Sequence, residues 1–209
     1  MKENKFYNAI KAVVSPFAKL FFRTRAQGME NIPNDGPVII AANHYFFADP
    51  IFIAVYTKRF ITFMAKSELF GNPVMNWLMT KLGCVKLNRD GSDISALRTV
   101  LGELKKDACI MLFPQGTRCP GHAPLREEMK DGASFLAMTS KAPVVPVGIY
   151  TKEMKGKLFR KTYVSFGKPI VPAEEIGRGG KSVALASDMI HSAICTQVES
   201  ARLMAESKK

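Results

Sequence analysis

Residues 38–50 read VIIAANHYFFADP. The first five are small or branched apolar residues, a run of strand length with no polar alternation, which reads as a strand covered on both faces. Asn43 and His44 end that run. Asp49-Pro50 then opens an apolar stretch to Thr57, with a carboxylate suited to a helix cap and a proline suited to the first helical position. Strand, short loop and helix in succession are the building unit of an α/β sheet.

Outward from this unit the same alternation continues. Ile32-Pro-Asn-Asp-Gly-Pro37 precedes it as a turn. Further strands are expected at Phe60–Met64, Cys84–Leu87, Cys109–Phe113, Val144–Ile149 and Lys161–Phe166, and helices at Ser67–Leu82, Ile94–Lys106, Met129–Ser140 and Ser182–Ala205. The pattern predicts an α/β fold: a largely parallel mixed sheet flanked by helices on both faces, with the last two strands a local antiparallel pair. The length, 209 residues with 47% hydrophobic residues, suits one substantial core. The division drawn is an N-terminal segment, residues 1–26, and one domain, residues 27–209.

The N-terminal segment is amphipathic. Phe6, Ile10, Val13, Phe17, Leu20 and Phe21 recur at helical steps, while Asn8, Lys11, Ser15 and Lys19 take the other side, and Pro16 predicts a bend or break. Lys11 interrupts the only candidate signal-peptide core, and no stretch reaches the roughly 20 apolar residues of a membrane span. The expectation is a helix lying on a membrane surface; the alternative is a helix packed on the protein's own core.

Thirty Lys and Arg against eighteen Asp and Glu give a net charge of +12, which calls for an anionic partner. No nucleic-acid-binding motif is present, and the Gly179-Gly-Lys-Ser182 run lacks the first glycine and the preceding strand of a phosphate-binding P-loop. Cys84, Cys109, Cys119 and Cys195 have neither zinc nor redox spacing. An acidic membrane face or a phosphorylated substrate remains.

In open α/β sheets ligands bind beyond the carboxyl ends of the strands, where His44 stands. Alone, His44 reads as an ordinary strand-end histidine and Asp49 as a cap. Together they read as a general base and the carboxylate that orients it. No G-x-S-x-G elbow supplies a protein nucleophile; Cys119 is the residual candidate, and a substrate hydroxyl is the preferred source of the proton. Residues 109–118, CIMLFPQGTR, end a second strand in a loop offering Thr117, Arg118 and backbone N–H groups to a phosphate. Lys66, Arg89 and Lys130 are further cations at similar strand exits. The helix containing Phe70, Met75, Trp77, Leu78 and Met79 reads as core packing, with an acyl-pocket wall as the alternative.

These blocks, in this order over roughly residues 27–167, resemble the lysophosphatidic acid acyltransferase (1-acyl-sn-glycerol-3-phosphate acyltransferase) family. Asn43-His44 with Asp49 resembles its catalytic motif, Gly83-Cys-Val-Lys-Leu-Asn-Arg89 its second, Phe113-Pro-Gln-Gly-Thr-Arg118 its third and Val144-Val-Pro-Val147 its fourth. The resemblance implies that His44 and Asp49 are catalytic; that Arg89, Gln115, Gly116, Thr117 and Arg118 contact the acceptor, with Lys66 and Lys130 as added cations; and that Val145 and Pro146 serve the acyl donor. It implies acyl transfer from acyl-CoA or acyl carrier protein to the sn-2 hydroxyl of lysophosphatidate, without metal, cofactor or covalent acyl-enzyme, at the cytoplasmic face of a membrane. The alternatives are another lysolipid acceptor, or a phospholipid-binding protein without turnover. Two positions depart from the pattern: Phe46 stands where the family commonly has Ser or Thr, and Gln115 where it commonly has Glu. Gln keeps hydrogen-bonding capacity and loses the negative charge.

Overall fold

A computed structural model describes residues 4–87, 94–177 and 179–207. Within them one sheet is formed by β1 (Arg25–Gln27), β2 (Val38–Ala42), β3 (Ile61–Lys66), β4 (Val85–Leu87), β5 (Cys109–Leu112), β6 (Val144–Thr151) and β7 (Thr162–Phe166), ordered β1-β7-β6-β2-β5-β3-β4. Every neighbouring pair is parallel except β6 and β7, which pair antiparallel as their short connection predicts. β2 is central, and all five of its residues are fully buried, so both of its faces are covered.

The helices are α1 (Lys5–Phe21), α2 (Asp49–Tyr56), α3 (Pro73–Lys81), α4 (Ile94–Leu104), α5 (Gly132–Ser140), α6 (Pro172–Glu175) and α7 (Ser182–Glu206). α7 lies directly on β6: a Cβ added at Gly148 would fall 2.0 Å from the Gln197 carbonyl carbon, so glycine is what permits the close approach. Its inner face supplies Ile190, Ile194 and Val198 to a core shared with Ile39, Val147 and Leu136.

Several boundaries differ from those expected. The stretch Ser67–Leu82 is not one helix but a 3-10 turn, Ser67–Phe70, followed by α3. Asn72 separates them, its side chain accepting from the N–H groups of Val74 (2.9 Å) and Met75 (3.3 Å) ahead of a proline that has no N–H to give. The helix expected from Met129 starts at Gly132, after a 3-10 turn at Arg126–Glu128. β1 has no apolar alternation to betray it, and its pairing with β7 makes a sheet strand of residues that straddle the 26/27 division. α1 runs unbroken through Pro16. It is capped by the Asn4 side chain, which accepts from the Tyr7 N–H, and it buries Tyr7 and Ala18 against the body.

A buried Arg59 ties the base of the sheet together by donating to the carbonyls of Pro33, Gly36 and Asp107 at 3.0, 2.7 and 2.6 Å. Among the described residues no helix is long and apolar enough to cross a membrane.

Candidate active site

The order β6-β2-β5-β3 places the carboxyl ends of three parallel strands side by side, and each delivers polar residues to one rim. β2 delivers His44, β5 delivers Gly116-Thr117-Arg118, and β3 ends on Lys66. The loop that leaves β2 for α2 is pinned to β6 first by Asn43. Its buried side chain acts as a further rung of the sheet, donating to the Ile149 carbonyl at 3.0 Å and accepting from the Ile149 N–H at 2.8 Å.

His44 and Asp49 form the pair expected of them. The His44 Nδ1 lies 2.8 Å from Asp49 Oδ2, and the same carboxylate oxygen accepts from the backbone N–H groups of Tyr45 and Phe46, each at 2.8 Å. A carboxylate can only accept here, so Nδ1 carries the proton and Nε2 keeps its lone pair. Asp49 is therefore not the cap of α2, whose N-cap is Ala48 without a side-chain bond. It is fully buried, and desolvation raises its pKa despite the hydrogen bonds from His44, Phe46 and Tyr45. A carboxylate so deprived of water favours a cation beside it, which is what protonation of His44 would supply. The imidazole itself stacks on Phe113, with ring centroids 3.9 Å apart and planes 13° apart, so its orientation is held from the face as well as the edge.

The loop after β5 is bound to the same histidine. Gln115 accepts from the His44 N–H at 2.8 Å and donates from its other end to Glu128 at 2.8 Å, while the Cys119 N–H reaches the His44 carbonyl at 2.8 Å. Gly116 adopts a left-handed backbone, and Lys130 lies against it: a Cβ there would approach the Lys130 side chain to 3.1 Å.

His44, Lys66, Gly116, Thr117, Arg118 and Lys130 line one cavity of about 1570 Å³. Its deeper wall is apolar, built from Ile10 and Val14 of α1, Ile51 and Val55 of α2, Met75 and Met79 of α3, and Leu97 and Leu101 of α4. Thus the helix read first as core packing contributes a cavity wall. The arrangement is a base at the junction of a cationic rim and an apolar chamber, which suits an amphiphile with an anionic head.

Three expected site residues lie elsewhere. Gln115 is 3% exposed, and both ends of its amide are engaged by protein, turned between His44 and Glu128 and away from the cavity. Val145 and Pro146 are buried in the middle of β6, opposite Ile40 and Ala41 of β2, and do not line the cavity. Arg89 falls outside the described residues. Cys119 is not activated as a nucleophile, since burial and then the Glu128 carboxylate raise its thiol pKa. Phe46 packs among Phe22, Phe47 and Phe52, and its ring occupies the space that a side chain at Gly156 would need. Sequence reading missed the roles of Asn43, Phe113 and Glu128; proximity to His44 in the loop is the one signal that marked the first. Among the described residues no group of His, Cys, Asp and Glu could hold a metal ion.

Comparison with known proteins agrees with this geometry. A 1-acyl-sn-glycerol-3-phosphate acyltransferase of Streptococcus pneumoniae is 36% identical over 148 residues, 68% of this chain and 53% of that protein. One of Bacillus subtilis is 30% identical over 170 residues, 80% of this chain and 81% of the relative. The chain thus spans about half the length of the first relative and most of the second. The crystal structure of a 1-acyl-sn-glycerophosphate (LPA) acyltransferase from Thermotoga maritima superimposes with a TM-score of 0.73 at 26% identity, covering 97% of this chain and 84% of that one. The family model described as Acyltransferase matches residues 23–150, which hold the His44–Asp49 pair and most of the cavity's rim, and the chain belongs to that family.

Proposed function

We propose that this protein transfers a fatty acyl group from a thioester donor, acyl-CoA or acyl carrier protein, to the sn-2 hydroxyl of a lysophosphatidate, giving phosphatidate. The observation that carries the reading is the His44–Asp49 pair opening onto a cavity with a cationic rim and an apolar interior. The names of the relatives above support the same acceptor. His44 Nε2 takes the hydroxyl proton, the alkoxide attacks the thioester carbonyl, and the thiol leaves carrying a proton returned by His44. Asp49 holds the tautomer and balances the imidazolium. Lys66, Arg118 and Lys130 hold the phosphate monoester, with Thr117 donating a hydroxyl. The acyl chains occupy the apolar wall formed by α1 to α4.

The test is acyl transfer by the purified protein to lysophosphatidate with each donor in parallel. His44→Ala should lower turnover by about a hundred- to ten-thousandfold while leaving the fold intact by circular dichroism. Phosphatidate formed equally by the variant would remove His44 from the mechanism. Activity only with a different lysolipid would keep the mechanism and reassign the acceptor.

A further inference from the structure

We propose that the basic pocket where α1 meets β1 is a docking site for the phosphate headgroup of an anionic phospholipid, separate from the catalytic cavity. The proposal does not depend on the acyl-transfer reading. The pocket has a volume of about 440 Å³ and is lined by Lys19, Arg23, Thr24, Arg25 and Lys161. Four of those five side chains are cationic and none is acidic. By contrast Arg59 is committed to backbone carbonyls, Arg126 to Asp188, and Arg202 to Glu199 and Glu206. Among the described residues, none of the four pocket cations forms an ion pair with a carboxylate. Convergent positive charges without a counterion repel one another, and a bound anion reverses that term.

The pocket is held in shape by hydrogen bonds that do not use its charges. The Tyr56 hydroxyl donates to the Thr24 carbonyl at 2.6 Å, fixing the connection from α1 to β1, and the Lys19 ammonium sits 5.6 Å from the centre of the Tyr56 ring. The strand register places Arg25 beside Tyr163, and the N–H groups of Phe159 and Thr162 bond the carbonyls of Phe21 and Phe22 at 2.6 and 3.2 Å. These bonds bring Lys161 to the arginines. Guanidinium groups in such a setting suit the oxygens of a phosphate.

The surroundings favour a lipid over a soluble anion. Phe17 and Leu20 of α1 are 56% and 68% exposed, and Phe159 is 60% exposed. The Phe21 ring lies between those of Phe17 and Phe159, with centroids 6.1 and 5.6 Å away, joining helix and loop into one apolar rim. A free phosphate has no use for that rim, whereas a phospholipid in a bilayer presents a phosphate and hydrocarbon together.

The experiment is flotation of the full chain, without acyl donor, on vesicles of phosphatidylcholine alone and of phosphatidylcholine mixed with phosphatidylglycerol. Arg23→Asn with Arg25→Thr removes two pocket cations using residues that tolerate the left-handed and extended backbone there. Lys105→Ser with Lys106→Ser removes the same charge after α4. The pocket variant should bind the anionic vesicles about thirtyfold more weakly, a little over fivefold for each arginine. The control should lose less than about threefold, and neutral vesicles should not separate the proteins. Equal losses from both variants would show diffuse attraction and overturn the pocket assignment. Saturable calorimetric binding of inorganic phosphate, abolished in the pocket variant and without effect on vesicle binding, would assign the pocket to a soluble anion and overturn the lipid.

Discussion

At Asp49 a buried carboxylate is retained although water would serve its charge better. Burial raises its pKa above the ordinary 3.8, the opposite of the usual salt-bridged carboxylate. The linkage sign follows: the native state holds the proton more tightly than the unfolded chain, so stability is fully present below the unfolded value and declines as pH rises through the raised native value. Asp49→Asn removes that dependence. Measured by urea denaturation, the stability of the wild type relative to this variant should fall as pH is raised from below 3.8 upward. Turnover should fall at least about a hundredfold, because an amide neither balances an imidazolium nor enforces the tautomer. Stability curves that stay parallel across that range would show that Asp49 is not the strained group. Gln115 gives a second prediction. Desolvation works against the Glu128 carboxylate, yet hydrogen bonds from Leu125 and Gln115, with His122 nearby, hold its pKa below the usual value. Gln115→Glu, the residue common at this position in the resembling family, would set two carboxylates against each other beneath His44. It should lower activity about tenfold or more, and Glu128→Gln in the same chain should restore it, a coupling of ~1–3 kcal/mol by double-mutant cycle. Full activity of Gln115→Glu alone would mean that the loop accommodates the second charge.

At the scale of elements, the parts legible in the sequence are those whose periodicity reports burial. The VIIAA run, the CIML strand and the long C-terminal helix all bury what their patterns promised, and their parallel order puts His44 and Arg118 at one edge. β1 was not legible, because an edge strand of Arg-Ala-Gln owes its conformation to pairing with β7 rather than to its own side chains. The break at Asn72 was legible in principle from Asn-Pro before a helix, and the apolar run on either side obscured it. Resemblance located Val145 and Pro146 but not their surroundings. Directly after that segment Gly148 permits the seating of α7 on β6. Gln115 carries a similar lesson. A loop residue beside a phosphate-binding sequence suggests a ligand contact, and only the fold shows its amide turned inward between His44 and Glu128.

For the molecule as a whole, α1 joins the cavity to the proposed membrane surface. One edge of the helix, Tyr7, Ile10, Lys11 and Val14, walls the cavity, and Tyr7 packs edge-on against Phe60 with centroids 4.9 Å apart. Lys11 is turned inward to the Thr57 carbonyl, and burial lowers its pKa. The alternative of a core-packed helix therefore describes one edge of this element, and a membrane contact is a proposal for the other. The other edge leaves Val13, Phe17 and Leu20 exposed in one stripe, and the exposed Phe47 and Leu69 extend apolar surface to the mouth of the cavity. Deleting α1 would open the cavity as well as remove the stripe, so substitution is the cleaner probe. Phe17→Ser with Leu20→Ser leaves the cavity lining intact. Full burial of such a side chain is worth about 1.5–3 kcal/mol, and partial immersion of two should make their loss cost tenfold or more in vesicle association. The loss should be the same on neutral and anionic vesicles and insensitive to salt, in contrast to that from the basic pocket. Turnover of a detergent-dispersed acceptor should change little. A variant that floats with vesicles as well as the wild type would place the membrane contact on another face, and one that loses detergent-phase turnover would show that the stripe supports the cavity rather than the bilayer.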